Sequence, residues 1–202
     1  MSLFDGLLAA DGQALRESTL VAPSHSPWPP RRTARFEDEP GYYDPAKLWL
    51  YGTVRLVRSP LACIRSAFGL ANHSPIDLDR IEREAESLVL DGKVLVCAFH
   101  NAAHQRAAIV PLRWGAPRIL VMSGGFLHHL GEDLKQEPFR AARLWRYAFD
   151  PSCDLAISRR APDKKPTFAS HNPTVDRLIA RLVNGEVTGP LFECNRPIAP
   201  ER

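Results

Sequence analysis

The run Val94-Leu95-Val96-Cys97-Ala98-Phe99 carries no polar side chain at any position. A segment this short and uniformly apolar reads as a strand covered on both faces, because a half-exposed strand would alternate apolar with polar residues. Arg118–Met122 and Asp154–Ser158 predict two more strands, Lys47–Val57 a longer one, and Gly189–Cys194 a last short one. Helical patterns lie between them. Asp77–Leu90 places Ile81, Ala85, Leu88 and Val89 on one side, with Gly92 as the stop. Ala102–Leu112 and Arg140–Tyr147 predict further helices. Asn172-Pro173 predicts the capped start of a helix through Leu182, with proline at the first helical position, where its missing N–H is not needed. Strands alternating with helices imply an α/β fold, a Rossmann-like open parallel sheet with helices on both faces.

An N-terminal Pro/Arg-rich extension precedes this pattern. Ser24–Arg35 reads SHSPWPPRRTAR, whose prolines fix the backbone and remove donors, so it is neither helix nor good strand. The expected organisation is therefore a short helix (Leu3–Leu15) and extended arm over 1–46, a Rossmann-like domain over 47–196, and a tail over 197–202. With 202 residues and 45% hydrophobic content the chain supports one sizeable core. Cys63, Cys97, Cys153 and Cys194 show no paired spacing, which excludes a zinc knuckle or redox pair of the usual kind. No apolar run reaches membrane-span length and no signal-type N-terminus is present, so a soluble cytoplasmic protein with no membrane partner is expected. The formal charge of +3 is unevenly spread: Lys135–Arg181 holds ten basic residues against five acidic ones.

Small residues at the carboxyl ends of the expected strands mark where an open α/β sheet keeps its ligand crevice. Gly52-Thr53-Val54-Arg55 follows the run Leu48–Tyr51, and Ser123-Gly124-Gly125 follows Arg118–Met122. A glycine pair there lets backbone N–H groups approach a phosphate, Thr53 adds a hydroxyl, and Arg55 adds a guanidinium able to make a forked contact. His100, Asn101 and His104 follow Val94–Phe99, near the same edge. An imidazole there can act as donor, acid or base, but no carboxylate lies near in sequence, and a lone histidine at a helix start reads more often as a cap or packed residue. The adjacent pair His128-His129 points apart, and no metal site is expected. Phe168 to Asn172 follows the basic stretch Arg159–Lys165 and precedes a helix N-terminus, the kind of surface on which a base stacks and a phosphate docks. His171, Asn172 and Arg177 complete the candidate set.

Taken in order, these pieces resemble the DprA/Smf family of DNA-processing proteins, within a wider group of nucleotide-binding folds that includes the Lonely Guy enzymes. Gly52-Thr53-Val54-Arg55 looks like the family's first-strand Gly-Ser/Thr-x-Arg. Ala102-Ala103-His104 with Ser123-Gly124-Gly125-Phe126-Leu127 looks like its Ala-Ala-His helix and Gly-Gly-Leu turn. Phe168 and Asn172, followed by Arg177–Leu182, are similar to its Phe-x-x-Arg-Asn-Arg-Ile-Ile-Ala-Gly-Leu run. The likeness spans roughly Tyr43 to Cys194 and implies binding of single-stranded DNA, without catalytic residues to carry over. The chain departs from the pattern between Phe99 and Ala102, where the family's glycine-arginine loop is replaced by His100-Asn101, and at His171-Asn172, where the family has Arg-Asn. The Lonely Guy signature is absent.

The expected function is thus a diverged, non-catalytic DprA-like protein with single-stranded nucleic acid or a nucleotide as partner, no cofactor, and a homodimer as a compatible state. A nucleotide-processing enzyme or sensor of the same superfamily, and a scaffold with a dead site, are the alternatives.

Overall fold

The computed structural model describes residues 37–69, 72–166 and 171–192. The arm Ser24–Arg35, the helix expected at Leu3–Leu15, Phe168 and Cys194 lie outside them. Six strands form one sheet: β1 (Glu37–Tyr43), β2 (Leu48–Gly52), β3 (Leu61–Ala62), β4 (Val94–Cys97), β5 (Arg118–Met122) and β6 (Leu155–Ser158), in the order β1-β2-β6-β5-β4-β3. The block β3, β4, β5 and β6 is parallel throughout, as the apolar runs demand. β2 runs antiparallel to both β6 and β1. The sheet is therefore mostly parallel, with one reversed strand.

Alternate side chains of the buried strands enter two cores. Leu95, Cys97, Leu120 and Met122 face one layer, where α1 (Pro75–Leu90) and α2 (Ala102–Arg113) pack through Ile81, Ala85, Val89, Ala103 and Ala107. Val94, Val96, Ile119 and Val121 face the other, covered by α5 (Pro173–Val183) through Val175, Leu178, Ile179 and Leu182. Two short helices, α3 (Phe126–Leu130) and α4 (Arg140–Leu144), follow β5.

Side chains in sequence set the helix starts. Ser74 and Asp77 form a reciprocal capping box at α1, each bonding the other's backbone N–H. Asn101 accepts from His104 N–H at 2.8 Å to start α2, and Asn172 accepts from Val175 N–H at 3.3 Å to start α5, with Pro173 in its first turn.

Three expectations change. Lys47–Val57 is not one strand: Gly52 adopts φ 105°, a conformation that favours glycine, and Val54–Arg58 continues as a 3-10 turn. β1 and β3 were not legible, the first because Pro40 and three acidic residues dilute its pattern and the second because it is two residues long. Residues 189–192 form turns, and no strand occurs there.

Buried charge closes one end of the sheet. Arg118, the first residue of β5, is fully buried between Glu137 and Asp154, and also donates to the Ala108 carbonyl at 2.9 Å. Burial pulls its pKa down, but the two carboxylates outweigh that and raise it, so the ion group stays charged in the core.

Candidate functional site

Because β3 to β6 run in one direction, their carboxyl ends share an edge. The chain leaves that edge as Ile64-Arg65-Ser66, Ala98 to Asn101, Ser123-Gly124-Gly125 and Arg159-Arg160. The N-terminus of α5 joins them, since Ser123, Arg159 and Asn172 line one cleft. His100, Asn101, His104, Ser123, Gly124, Gly125 and Asn172 are thus brought together as the sequence led one to expect, with His171 exposed just before α5 and Arg177 exposed on it.

Gly52, Thr53 and Arg55 are not part of this edge. Gly52 pairs with Leu155 at the start of β6, whereas Met122 pairs with Ser158 at its end. The reversal of β2 therefore sends Gly52-Thr53-Val54-Arg55 to the opposite end of the sheet, and the two turns are not corners of one crevice. Their chemistry is also internal. Thr53 is buried, its N–H bonds the Asp154 carbonyl at 2.9 Å, and its hydroxyl donates to the Pro151 carbonyl at 2.9 Å. A Cβ at Gly52 would collide with the Asp154 carbonyl oxygen. Arg55 is exposed there.

Ser123-Gly124-Gly125 lies on the expected edge, but its glycines serve a different contact. The segment 161–166 folds directly over the turn: Gly125 N–H bonds the Lys164 carbonyl at 2.7 Å, and Leu127 N–H bonds the Pro162 carbonyl at 3.1 Å. A side chain at Gly124 would run into Pro166, and one at Gly125 into the carbonyls of Ala161 and Pro162. Ser158 ties the layers together, its hydroxyl donating to the Gly124 carbonyl at 2.8 Å and accepting from Arg160 N–H at 3.0 Å. Close backbone approach explains the glycine pair, and those two N–H groups are occupied by the chain itself.

The histidines find the carboxylate that their local sequence lacks. Asp176, in the second layer on α5, places Oδ1 3.0 Å from His104 Nε2 and 3.3 Å from His100 Nε2, while Gly69 N–H donates to its Oδ2 at 3.1 Å. Burial pushes the Asp176 carboxyl up, but the two rings and the Gly69 N–H outweigh it and hold it well below the usual carboxylate range. Burial lowers the His104 pKa, only partly offset by Asp176. Both imidazoles are nearly inaccessible, at 4% and 3% side-chain exposure, so neither is presented as an acid or base to a ligand above the edge. Asn101 is likewise structural: its amide also donates to the Ala67 carbonyl at 2.9 Å. Asp176 was missed in the sequence because it is 72 positions from His104.

What the edge does present is cationic. A cleft of about 170 Å³ is lined by Ser123, Arg159, Arg160, Asn172 and Thr174 over a floor of Val175 and Leu178. A second, of about 120 Å³, lies beside it and shares Arg159 and Leu178, adding Lys47, Arg181 and Thr188. Lys47, Arg159, Arg160 and Arg181 thus border one groove, and among the described residues no carboxylate lines either cleft. Lys164 and Lys165 lie exposed on the adjoining segment, Lys164 paired with Asp163 at 3.4 Å. The basic stretch at Arg159 was visible in the sequence; Lys47 and Arg181 join it only through the fold.

No family model matches the chain, and no curated protein matches it. It is similar to a solved structure of DNA processing protein A from Helicobacter pylori, a work on the single-stranded DNA binding mode of that protein. The identity is 18% and the TM-score 0.46, over 73% of this chain and 65% of that one.

Proposed function

We propose that the chain is a non-catalytic binder of single-stranded nucleic acid, with DNA as the expected form, holding the phosphate backbone in the groove bordered by Lys47, Arg159, Arg160 and Arg181. The observation that carries this reading is a run of two adjoining clefts lined, among the described residues, by four cations and no carboxylate. Such a stripe neutralises successive phosphates and gains from counterion release. The hydroxyls of Ser123 and Thr174 add neutral donors of the kind that position a backbone without reading sequence.

The DprA/Smf resemblance supports the same reading through the motifs that fall on this edge: Ala102-Ala103-His104, Ser123–Leu127 and the helix from Asn172 to Leu182. It draws no support from Gly52-Thr53-Val54-Arg55, which lies at the other end.

Fluorescence anisotropy of a labelled oligothymidylate at several salt concentrations tests the proposal. Four phosphate contacts give a slope of log affinity on log salt of about −3. Absence of binding at low salt, or affinity unchanged when Arg159 and Arg181 are both replaced by alanine, overturns it.

A further inference from the structure

His100 is buried without a hydrogen bond among the described residues. Its side chain is 4% exposed, neither ring nitrogen has a hydrogen-bond partner, and Nε2 lies 3.3 Å from Asp176 Oδ1 without the alignment of a hydrogen bond. Buried polar groups are ordinarily satisfied, so an orphaned imidazole needs a physical reason. The His104–Asp176 contact accounts for those two residues and leaves the third donor of the cluster unexplained.

We propose that His100 Nε2, His104 Nε2 and an Asp176 carboxylate oxygen bind a divalent transition-metal ion of the imidazole-favouring class, with zinc as the leading candidate. The three side chains offer ligand atoms that all lie within 4.8 Å of one another. A tetrahedral ion with ligands at 2.0–2.1 Å holds neighbouring ligand atoms about 3.3 Å apart. The observed separations of 3.0 and 3.3 Å from Asp176 match that spacing, and the His100 and His104 ligand atoms, within 4.8 Å of each other, close toward it on binding. Two neutral imidazoles and one carboxylate are borderline donors suited to zinc or cobalt rather than to calcium or magnesium. A metal between them gives His100 Nε2 a partner and neutralises the buried carboxylate together.

The surroundings orient the set. Gly69 N–H holds the other Asp176 oxygen at 3.1 Å, an outer contact of the kind that fixes a ligating carboxylate. The His100 and His104 rings lie 4.7 Å apart, and Phe68 packs 5.7 Å from His104. Two interactions give way to the ion: the 3.0 Å His104–Asp176 hydrogen bond, whose proton the metal replaces, and the Ala98 N–H contact to His104 Nδ1 at 3.4 Å, since ligation through Nε2 requires Nδ1 to carry the proton. The second is weak at that length. With three protein ligands, the ion keeps its fourth tetrahedral position for a water. The ion would pin the first turns of α5, whose Asn172, Thr174 and Val175 line the groove, to the start of α2.

The test uses the full chain after dialysis against a chelator. Addition of Zn²⁺ is expected to raise the melting temperature by an amount that grows with the logarithm of free metal. Co²⁺ is expected to give the visible ligand-field bands of a tetrahedral site at about one ion per chain. Both responses should vanish in His100→Ala, whose ring makes no hydrogen bond among the described residues, and in Asp176→Asn. Absence of a Co²⁺ spectrum in the unaltered chain overturns the site. So does a spectrum that survives His100→Ala, since it would report another group such as His128 and His129. Because the readout is metal binding, it is independent of whether nucleic acid binds the groove.

Discussion

The two ends of the sheet use the same residue type in opposite ways. At the amino ends of the parallel strands, Arg118 is fully buried and matched by Glu137 and Asp154. At the carboxyl ends, Arg159 and Arg160 are exposed beside a groove with no carboxylate among the described residues that line it. A buried guanidinium without partners would be prohibitive, so the first arrangement is a condition of folding. Exposed guanidinium groups add little to stability, and their clustering raises the local positive potential. The turns repeat the contrast. Gly52-Thr53 is closed onto Pro151 and Asp154, while Gly124-Gly125 supports the 161–166 segment, which carries Lys164 and Lys165 and follows Arg160.

The sharpest way to break this comparison is to remove one carboxylate from the buried group. Glu137→Ala is expected to cost about 3–5 kcal/mol by leaving Arg118 charge uncompensated, read as a lowered urea midpoint. Arg159→Ala should move the same midpoint by less than about 0.5 kcal/mol. Equal effects would show that the ends do not differ as described.

Next come the glycines. Gly52→Ala and Gly125→Ala should each destabilise by about 1–3 kcal/mol, because both force backbone apart. Only Gly125→Ala should also weaken oligonucleotide binding, because the segment it displaces borders the groove. Parallel denaturation and anisotropy measurements separate the two; loss of affinity in Gly52→Ala would place its turn back in the site.

Asn172→Ala removes the cap of α5 and should cost about 1 kcal/mol, with affinity falling less than in Arg159→Ala. For Arg159→Ala itself, the expected signature is a salt dependence shallower by about 0.7. An unchanged slope with weaker binding would mean that Arg159 does not meet a phosphate.

The smallest effect concerns pH. The Asp77 carboxyl is lowered from its ordinary value, chiefly by its hydrogen bonds with Ser74. A carboxylate with a depressed folded pKa contributes stability above its unfolded value of about 3.9 and loses it as pH falls through the folded value. Stability of the unaltered chain should therefore decline slightly more steeply below about pH 4 than that of Asp77→Asn, since the group is exposed. Identical acid profiles from chemical denaturation would show that the capping box is not formed in solution.

Much of the fold was legible in the sequence because it is written locally. Val94–Cys97 and Arg118–Met122 follow from uninterrupted apolar runs, α1 from its helical spacing, and the start of α5 from Asn172-Pro173. The candidate site was legible only as far as strand ends could be placed. Ser123, Asn172 and the stretch at Arg159 reached the right edge because they follow or adjoin parallel strands. Gly52-Thr53-Val54-Arg55 went to the wrong one, because nothing in a strand's own residues says which way it will run against its neighbours. A one-strand reversal moves a turn by the full width of the sheet.

The sequence by itself determined the alternation of apolar strands with amphipathic helices, the caps, and an excess of positive charge in the C-terminal half. These depend on side-chain periodicity and on bonds within a few residues. Tertiary structure alone decided that β2 is antiparallel, that Lys47 and Arg181 border the groove of Arg159, and that Asp176 meets His100 and His104. Each of those contacts joins residues far apart in the chain, and long-range pairing is fixed by the packing of two cores against one sheet, which no local pattern encodes.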